Sequence, residues 1–302
     1  MQARKSGFFV ALVAVTMLAL TSFASAGAFS YVISYGDSLS DNGNLYAHTG
    51  QPPAPYWNGR FSNGPVTVEY LANSLGSPLK DFAWGGATTG VGNYGDGGTQ
   101  TTFGAHGFPG MLPEVAGSIG SVAPFASTSL FVVWGGPNDF LTNGFSTATA
   151  NTAVADLLTI IADLQGAGAK HILVPGMPDL GLTPDYYGQG FATQFSQYFN
   201  AELIAGLPKG TIYFDTFGFM HQVVGHPLAY GFTNVNTPCF NGTTVCSDPN
   251  QYLFWDGFHP TTQADTILAG QFEQAVVPEP STFLMLGTGF VGVGGMLRRK
   301  MF

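Results

Sequence analysis

The chain has 302 residues and a formal net charge of −9, from 9 Lys and Arg against 18 Asp and Glu. Five of the nine basic residues lie close to the two ends, so the body of the chain is strongly acidic. Such a body repels nucleic acid and anionic lipid head groups, which argues against either as a partner.

The first segment has the pattern of a secretory signal. Arg4 and Lys5 precede an apolar run at residues 7–20, and small residues at 24–26 suit a signal peptidase. The apolar run is shorter than the ~20 residues of a membrane span, although an N-terminal anchor is the alternative. We therefore predict a signal peptide at residues 1–26, cleaved after Ala26, and an exported protein.

Strand and helix patterns alternate along the body of the chain. Short apolar runs predict strands at residues 29–35, 80–84, 130–134, 171–174 and 211–214, of which the second is the weakest. Helical patterns occupy residues 66–75, 148–164, 191–207 and 261–275. This alternation predicts one domain at residues 27–276, a three-layer α/β/α fold with a central parallel sheet.

Polar, Gly-containing turns follow three of the predicted strands. They lie at residues 36–40, 85–89 and 135–139, and ligands of open parallel sheets bind beyond the carboxyl ends of the strands. The Gly-rich stretch at residues 88–110 is too long for an ordinary connection, so we expect a mobile surface loop near the site.

A nucleophile and an acid-base pair can be assembled from two of these segments. Ser38 is in a tight turn after the first strand, and Asp256 lies three residues before His259, just ahead of the last helix. At that spacing the carboxylate can bond Nδ1 and leave Nε2 free to accept a proton from Ser38. The Gly-Asp-Ser turn alone is weak evidence because such turns are common, and a surface turn is the alternative explanation of the Asp256–His259 pair.

Four blocks of sequence together resemble the GDSL (SGNH) hydrolases. They lie at residues 35–44, 82–88, 136–139 and 256–259, in the order found in that family. The resemblance implies a flavodoxin-like fold with a sheet of about five strands. It also implies a secreted carboxylic ester hydrolase that acts on a small-molecule, polysaccharide or lipid ester through an acyl-enzyme.

The same resemblance implies a role for individual residues. Ser38 would be the nucleophile, His259 the base and then the acid, and Asp256 the group that orients His259. The oxyanion would be held by the N–H groups of Ser38 and Gly86 and by the side-chain amide of Asn138. For Asn138, a helix cap is the alternative.

Two other functions remain open at this stage. The same chemistry would serve an acyltransferase that uses a hydroxyl of the envelope or of an exopolysaccharide in place of water. A non-catalytic matrix protein that keeps the fold for binding is the third reading, and the complete set of site residues argues against it.

Cofactor motifs are weak in this sequence. Residues 90–95 match G-x-G-x-x-G, but no helical pattern follows to receive a pyrophosphate. The His residues show no metal-binding spacing, and G-x-S-x-G does not occur. We therefore expect no metal and no cofactor.

Cys239 and Cys246 are expected to form a disulfide within an irregular insert at residues 225–250.

The end of the chain combines Pro-Glu-Pro at residues 278–280, an apolar stretch at 282–297 and a basic cluster at 298–300. This order resembles the PEP-CTERM sorting tail of Gram-negative bacteria, which an exosortase recognises and cuts. It implies a sorting signal at residues 277–302, transient membrane association, and a periplasmic, cell-surface or matrix location. A simple tail anchor is the alternative.

Overall fold

A computed structural model describes residues 29–277, and they are built around one parallel sheet. Its strands are β1 (Val32–Gly36), β2 (Leu79–Asp81), β3 (Leu130–Trp134), β4 (His171–Pro175) and β5 (Ile212–Phe214). Their order across the sheet is β2-β1-β3-β4-β5. In β1 and β3 the register runs from Val32 opposite Leu130 to Gly36 opposite Trp134, so both strands end at the same level.

Helices connect the strands and cover the sheet. They are α1 (Asn44–Thr49), α2 (Thr67–Ser74), α3 (Met111–Val122), α4 (Pro137–Asn143), α5 (Thr147–Gly166), α6 (Gly190–Gly206), α7 (Thr216–Gly225) and α8 (Thr262–Val276).

The two faces of the sheet pack against different helices. Ile33 and Tyr35 belong to a core cluster with buried residues of α3, α5 and α6. Val32 belongs to a second cluster, with residues of α2 and α8. Because successive side chains of a strand point to opposite faces, one strand serves both layers. The predicted three-layer α/β/α fold with a five-stranded parallel sheet is therefore confirmed.

The strand predictions agree with the structure to within three residues at every end, but several helices were missed. The clearest is α3, which contains Pro113, Gly117 and Gly120 and so has low intrinsic helix propensity. Its buried face, which includes Met111 and Val115, packs against the sheet. Tertiary packing, rather than local propensity, stabilises this helix.

The insert after α7 is largely irregular and contains the predicted disulfide. Cys239 and Cys246 are bonded, with their Cα atoms 4.8 Å apart. The N–H of Cys239 donates to Phe254 O at 3.1 Å, and the N–H of Phe240 donates to Trp255 O. The cross-linked loop is thus bonded to the segment that leads into Asp256.

The predicted signal peptide at residues 1–26 lies outside the described residues, as does the sorting tail beyond Val277. Among residues 29–277, no helix combines the length and the apolar character needed to cross a membrane.

Candidate active site

Ser38 lies at the carboxyl end of β1, in the turn that leaves the central part of the sheet. The turn is closed by the N–H groups of Ser40 and Asp41, which donate to Asp37 O at 3.0 and 2.9 Å. A third donor, the N–H of Leu39, bonds Asp37 Oδ1 at 3.0 Å. Ser38 is only 9% exposed, and its Oγ is 2.8 Å from Nε2 of His259.

Asp256 and His259 lie in the turn that precedes α8. Nδ1 of His259 is 2.9 Å from Oδ1 and 2.8 Å from Oδ2 of Asp256. Oδ1 also accepts the backbone N–H groups of Phe258 and His259, at 2.9 and 2.7 Å. The structure thus brings Ser38, His259 and Asp256 into one hydrogen-bonded series across 221 residues of sequence.

The electrostatics of the pair favour an ionised aspartate beside a basic imidazole. Burial raises the pKa of Asp256, but the charge and hydrogen bonds of His259 outweigh burial and lower the pKa to about 2. For His259, burial lowers the pKa, but the charge and hydrogen bond of Asp256, together with the charges of Asp37 and Asp265, raise it, so the net pKa lies above its ordinary value. The side chains are only 17% (His259) and 14% (Asp256) exposed, so water screens their interaction weakly.

The three expected oxyanion donors lie in three turns at the carboxyl edge of the sheet. In the described chain, the N–H groups of Ser38 and Gly86 have no hydrogen-bond partner. By contrast, the N–H of Gly85 donates to Asp41 Oδ2 at 2.7 Å. Within the Gly85–Gly86 pair, Gly86 therefore has the free donor.

Asn138 is buried in the first turn of α4, and its side-chain Nδ2 donates to Ala87 O at 3.1 Å. The N-cap of α4 is Gly136, so Asn138 does not cap this helix. The alternative reading of Asn138 as a cap is therefore wrong. Because an amide nitrogen carries two hydrogens, one remains after the bond to Ala87.

Buried carboxylates that we did not single out from the sequence join these turns. Asp41 accepts the N–H of Gly85 and also those of Gly43, Asn44 and Leu45 at the start of α1.

On α3, Glu114 accepts the N–H of Gly36 at 3.1 Å and that of Trp84 at 3.2 Å. It therefore bonds the end of β1 to the glycine turn. Asp41 was within a recognised motif, but Glu114 lies in a helix that the sequence did not predict.

The stretch at residues 88–110 differs from the predicted surface loop. Thr89, Asn93 and Gln100 are buried, and Asp139 accepts bonds from Thr89 and Gln100. The prediction of a surface location is wrong for these residues. Backbone bonds within the segment, such as those from the N–H groups of Val91 to Gln100 O and of Gly92 to Thr99 O, satisfy much of its backbone, and Asp139 accepts hydrogen bonds from the polar groups of Thr89 and Gln100. In place of a nucleotide-binding helix, residues 94–96 form a single short 3₁₀ turn.

Tyr56, which the sequence analysis did not consider, also contacts this site. Its hydroxyl donates to Asp256 Oδ2 at 2.7 Å. Between residues 29 and 277, no group of three or more His, Cys, Asp or Glu side chains is arranged to hold a metal ion.

A serine, a histidine and an aspartate bonded in this order are the arrangement of a serine hydrolase. The sequence model of the GDSL-like lipase/acylhydrolase family matches residues 32–272. The chain therefore belongs to this family and is a carboxylic ester hydrolase. The PEP-CTERM protein-sorting motif matches residues 276–300, which indicates export in Gram-negative bacteria and recognition by exosortase-type machinery.

Individual relatives include hydrolases and an acyltransferase. The phosphatidylcholine-sterol acyltransferase of Aeromonas hydrophila is 30% identical over 252 residues, which cover 79% of this chain and 73% of that protein. A GDSL esterase/lipase of Arabidopsis thaliana is 25% identical over 306 residues, covering 78% and 84%. Among solved structures, an alpha/beta hydrolase enzyme from the metagenome of Lake Arreo, Spain, matches 83% of this chain and 97% of its own at 12% identity, with a TM-score of 0.48.

Proposed function

We propose that this protein hydrolyses carboxylic esters by transferring the acyl group to Ser38 and then to water. The observation that carries the proposal is the uninterrupted bonding from Ser38 Oγ through His259 to Asp256, at 2.8 and 2.8–2.9 Å. In this geometry His259 has one nitrogen for the serine and the other for the carboxylate, as general-base activation requires.

The first half-reaction forms the acyl-enzyme. Nε2 of His259 takes the proton of Ser38 as Oγ attacks the ester carbonyl, and Asp256 stabilises the imidazolium that results. The negative oxygen is stabilised by the N–H groups of Ser38 and Gly86 and by the amide of Asn138. His259 then returns its proton to the departing alcohol.

Deacylation repeats these steps with water as the nucleophile. His259 removes a proton from the water as the water attacks the acyl carbon. The bond to Ser38 Oγ then breaks, Oγ takes the proton back from His259, and the acid is released. An acceptor alcohol in the place of water would give acyl transfer by the same steps. The relative named as an acyltransferase favours this as the second candidate function.

The cellular part of the proposal concerns the ends of the chain. Residues 1–26 would be removed on export, residues 27–276 would form the enzyme, and residues 277–302 would direct sorting with transient membrane association. The enzyme would then act in the periplasm, at the cell surface or in the extracellular matrix, on a small-molecule, polysaccharide or lipid ester.

The first test compares Ser38→Ala, His259→Ala and Ser40→Ala on p-nitrophenyl esters of increasing acyl length. Ser40 lies in the same turn as Ser38 but is fully buried, so its variant is a matched control. We expect Ser40→Ala to stay active and the other two to lose nearly all turnover. Substantial hydrolysis by Ser38→Ala would refute the assignment.

Two further measurements separate the alternatives. A fluorophosphonate probe should label the parent chain at Ser38, whereas a non-catalytic protein would remain unlabelled. Addition of a candidate alcohol, followed by analysis for a transesterified product, distinguishes the acyltransferase from the hydrolase.

A further inference from the structure

Tyr56 comes from the irregular segment between α1 and α2, 200 residues before the aspartate that it contacts. Its ring is partly buried, and its hydroxyl donates to Asp256 Oδ2 at 2.7 Å. This short bond to a carboxylate is of the charge-assisted type, which is stronger than a bond between neutral groups.

The bonds of Asp256 are divided between its two oxygens. Oδ1 accepts two backbone N–H groups from its own turn, those of Phe258 and His259. Oδ2 has no backbone donor within the described chain, and it is contacted by Nδ1 of His259 and by Tyr56. Within residues 29–277, the Tyr56 hydroxyl is therefore the one donor to Oδ2 besides the imidazole.

Aromatic contacts restrict where the Tyr56 hydroxyl can point. The ring packs edge-on against Phe61, Phe240 and Trp255, with centroids 6.0, 5.7 and 6.2 Å away. Phe61 also lies 5.0 Å from the ring of His259. The rings of Tyr56 and His259 thus both pack against Phe61, and rotation of the tyrosine away from Asp256 would disrupt this packing.

We propose that Tyr56 is a positioning residue of the esterase site, whose hydroxyl holds Asp256 Oδ2 against His259 Nδ1. This inference rests on the roles proposed above for Asp256 and His259. Burial and the neighbouring Asp256 raise the pKa of Tyr56, so its hydroxyl remains a donor throughout the working pH range.

Loss of this donor has a predictable effect on the pH dependence. The carboxylate would be less stabilised by hydrogen bonds and would interact more strongly with the imidazolium, which raises the pKa of His259 further. Because the base must be neutral, the acid limb of kcat/KM should move to higher pH.

Other acidic groups near the pair are unchanged by the substitution. They are Asp37 in the β1 turn, Asp265 on α8 and Asp185 in the 3₁₀ turn at residues 184–186.

The test is the kcat/KM profile of Tyr56→Phe between pH 5 and 9, with Tyr46→Phe as the control. Phenylalanine keeps the ring in its aromatic contacts, and Tyr46 is exposed on the neighbouring α1. We expect the plateau of kcat/KM to fall roughly 3- to 10-fold. This loss corresponds to part of what a hydrogen bond to a charged group contributes. The ratio of parent to variant activity should be larger at low pH.

A double-mutant cycle with Asp256→Asn tests whether Tyr56 acts through the carboxylate. In the Asp256→Asn background, Tyr56→Phe should have little further effect on kcat/KM, because the charged acceptor is gone. A Tyr56→Phe profile that coincides with the parent's, or that is lowered equally at every pH, would overturn the inference. An active Ser38→Ala protein would instead refute the proposed function, so the two failures are distinguishable.

Discussion

Replacing Asn138 by alanine should damage both catalysis and stability, by amounts that can be worked out separately. The side chain is 6% exposed, and one amide hydrogen is used by Ala87 O. If the second hydrogen donates to the oxyanion, its loss lowers kcat by roughly 10²- to 10³-fold with little change in KM. Loss of the bond to the Ala87 carbonyl destabilises the fold by about 1–3 kcal/mol.

The assay combines p-nitrophenyl acetate kinetics with urea unfolding of the same preparation. Asn143→Ala is the matched control, because Asn143 ends the same helix and its amide bonds Gln100 Oε1 at 3.2 Å. We expect this control to lose some stability and to keep its kcat. If the Asn138→Ala protein is destabilised but retains its kcat, Asn138 is not an oxyanion donor. Its role is then structural, through its bond to the glycine turn.

Three further predictions follow from the surroundings of the site. Gly86→Ala should lower kcat by about tenfold or more, since Gly86 has φ +83° and a Cβ there would clash with Asn93 Oδ1. Gly97→Ala, at φ +81° in open space, is the control. Burial raises the pKa of Asp265 from 3.8 to about 8, so the stability contributed by its protonated form is full below pH 3.8 and is lost as the pH rises to 8. Asp265→Asn should flatten this decline, as measured by urea unfolding. Cys239→Ser opens a loop with a sequence separation of 7 and should lower the free energy of unfolding by about 2–3 kcal/mol in oxidising buffer. An unchanged urea midpoint would contradict this expectation.

Local patterns in the sequence were sufficient for much of the fold. The run at residues 130–134 predicts β3 with its observed bounds, because a short apolar segment before a Gly-containing turn has few other interpretations. The helix α3 could not be predicted in this way, since its residues form a helix only when one face is buried against the sheet.

The residues of the candidate site can likewise be separated into those that local sequence patterns predict and those that they do not. Ser38, Asp256 and His259 occur in short motifs that can be read without knowledge of the fold. Tyr56 and Glu114 have no such motif, because their contacts depend on segments 200 and 78 residues away. Gly86 was chosen over Gly85 from the family resemblance, and the bond that occupies the N–H of Gly85 is a reason that only the folded chain provides.

The series that links Ser38 to His259 joins the beginning of the described chain to its end. A ribosome makes the β1 turn well before the turn that precedes α8, so a chain that stops before residue 256 has the serine without its base. The esterase site can therefore form only after residues 256–259 have been synthesised.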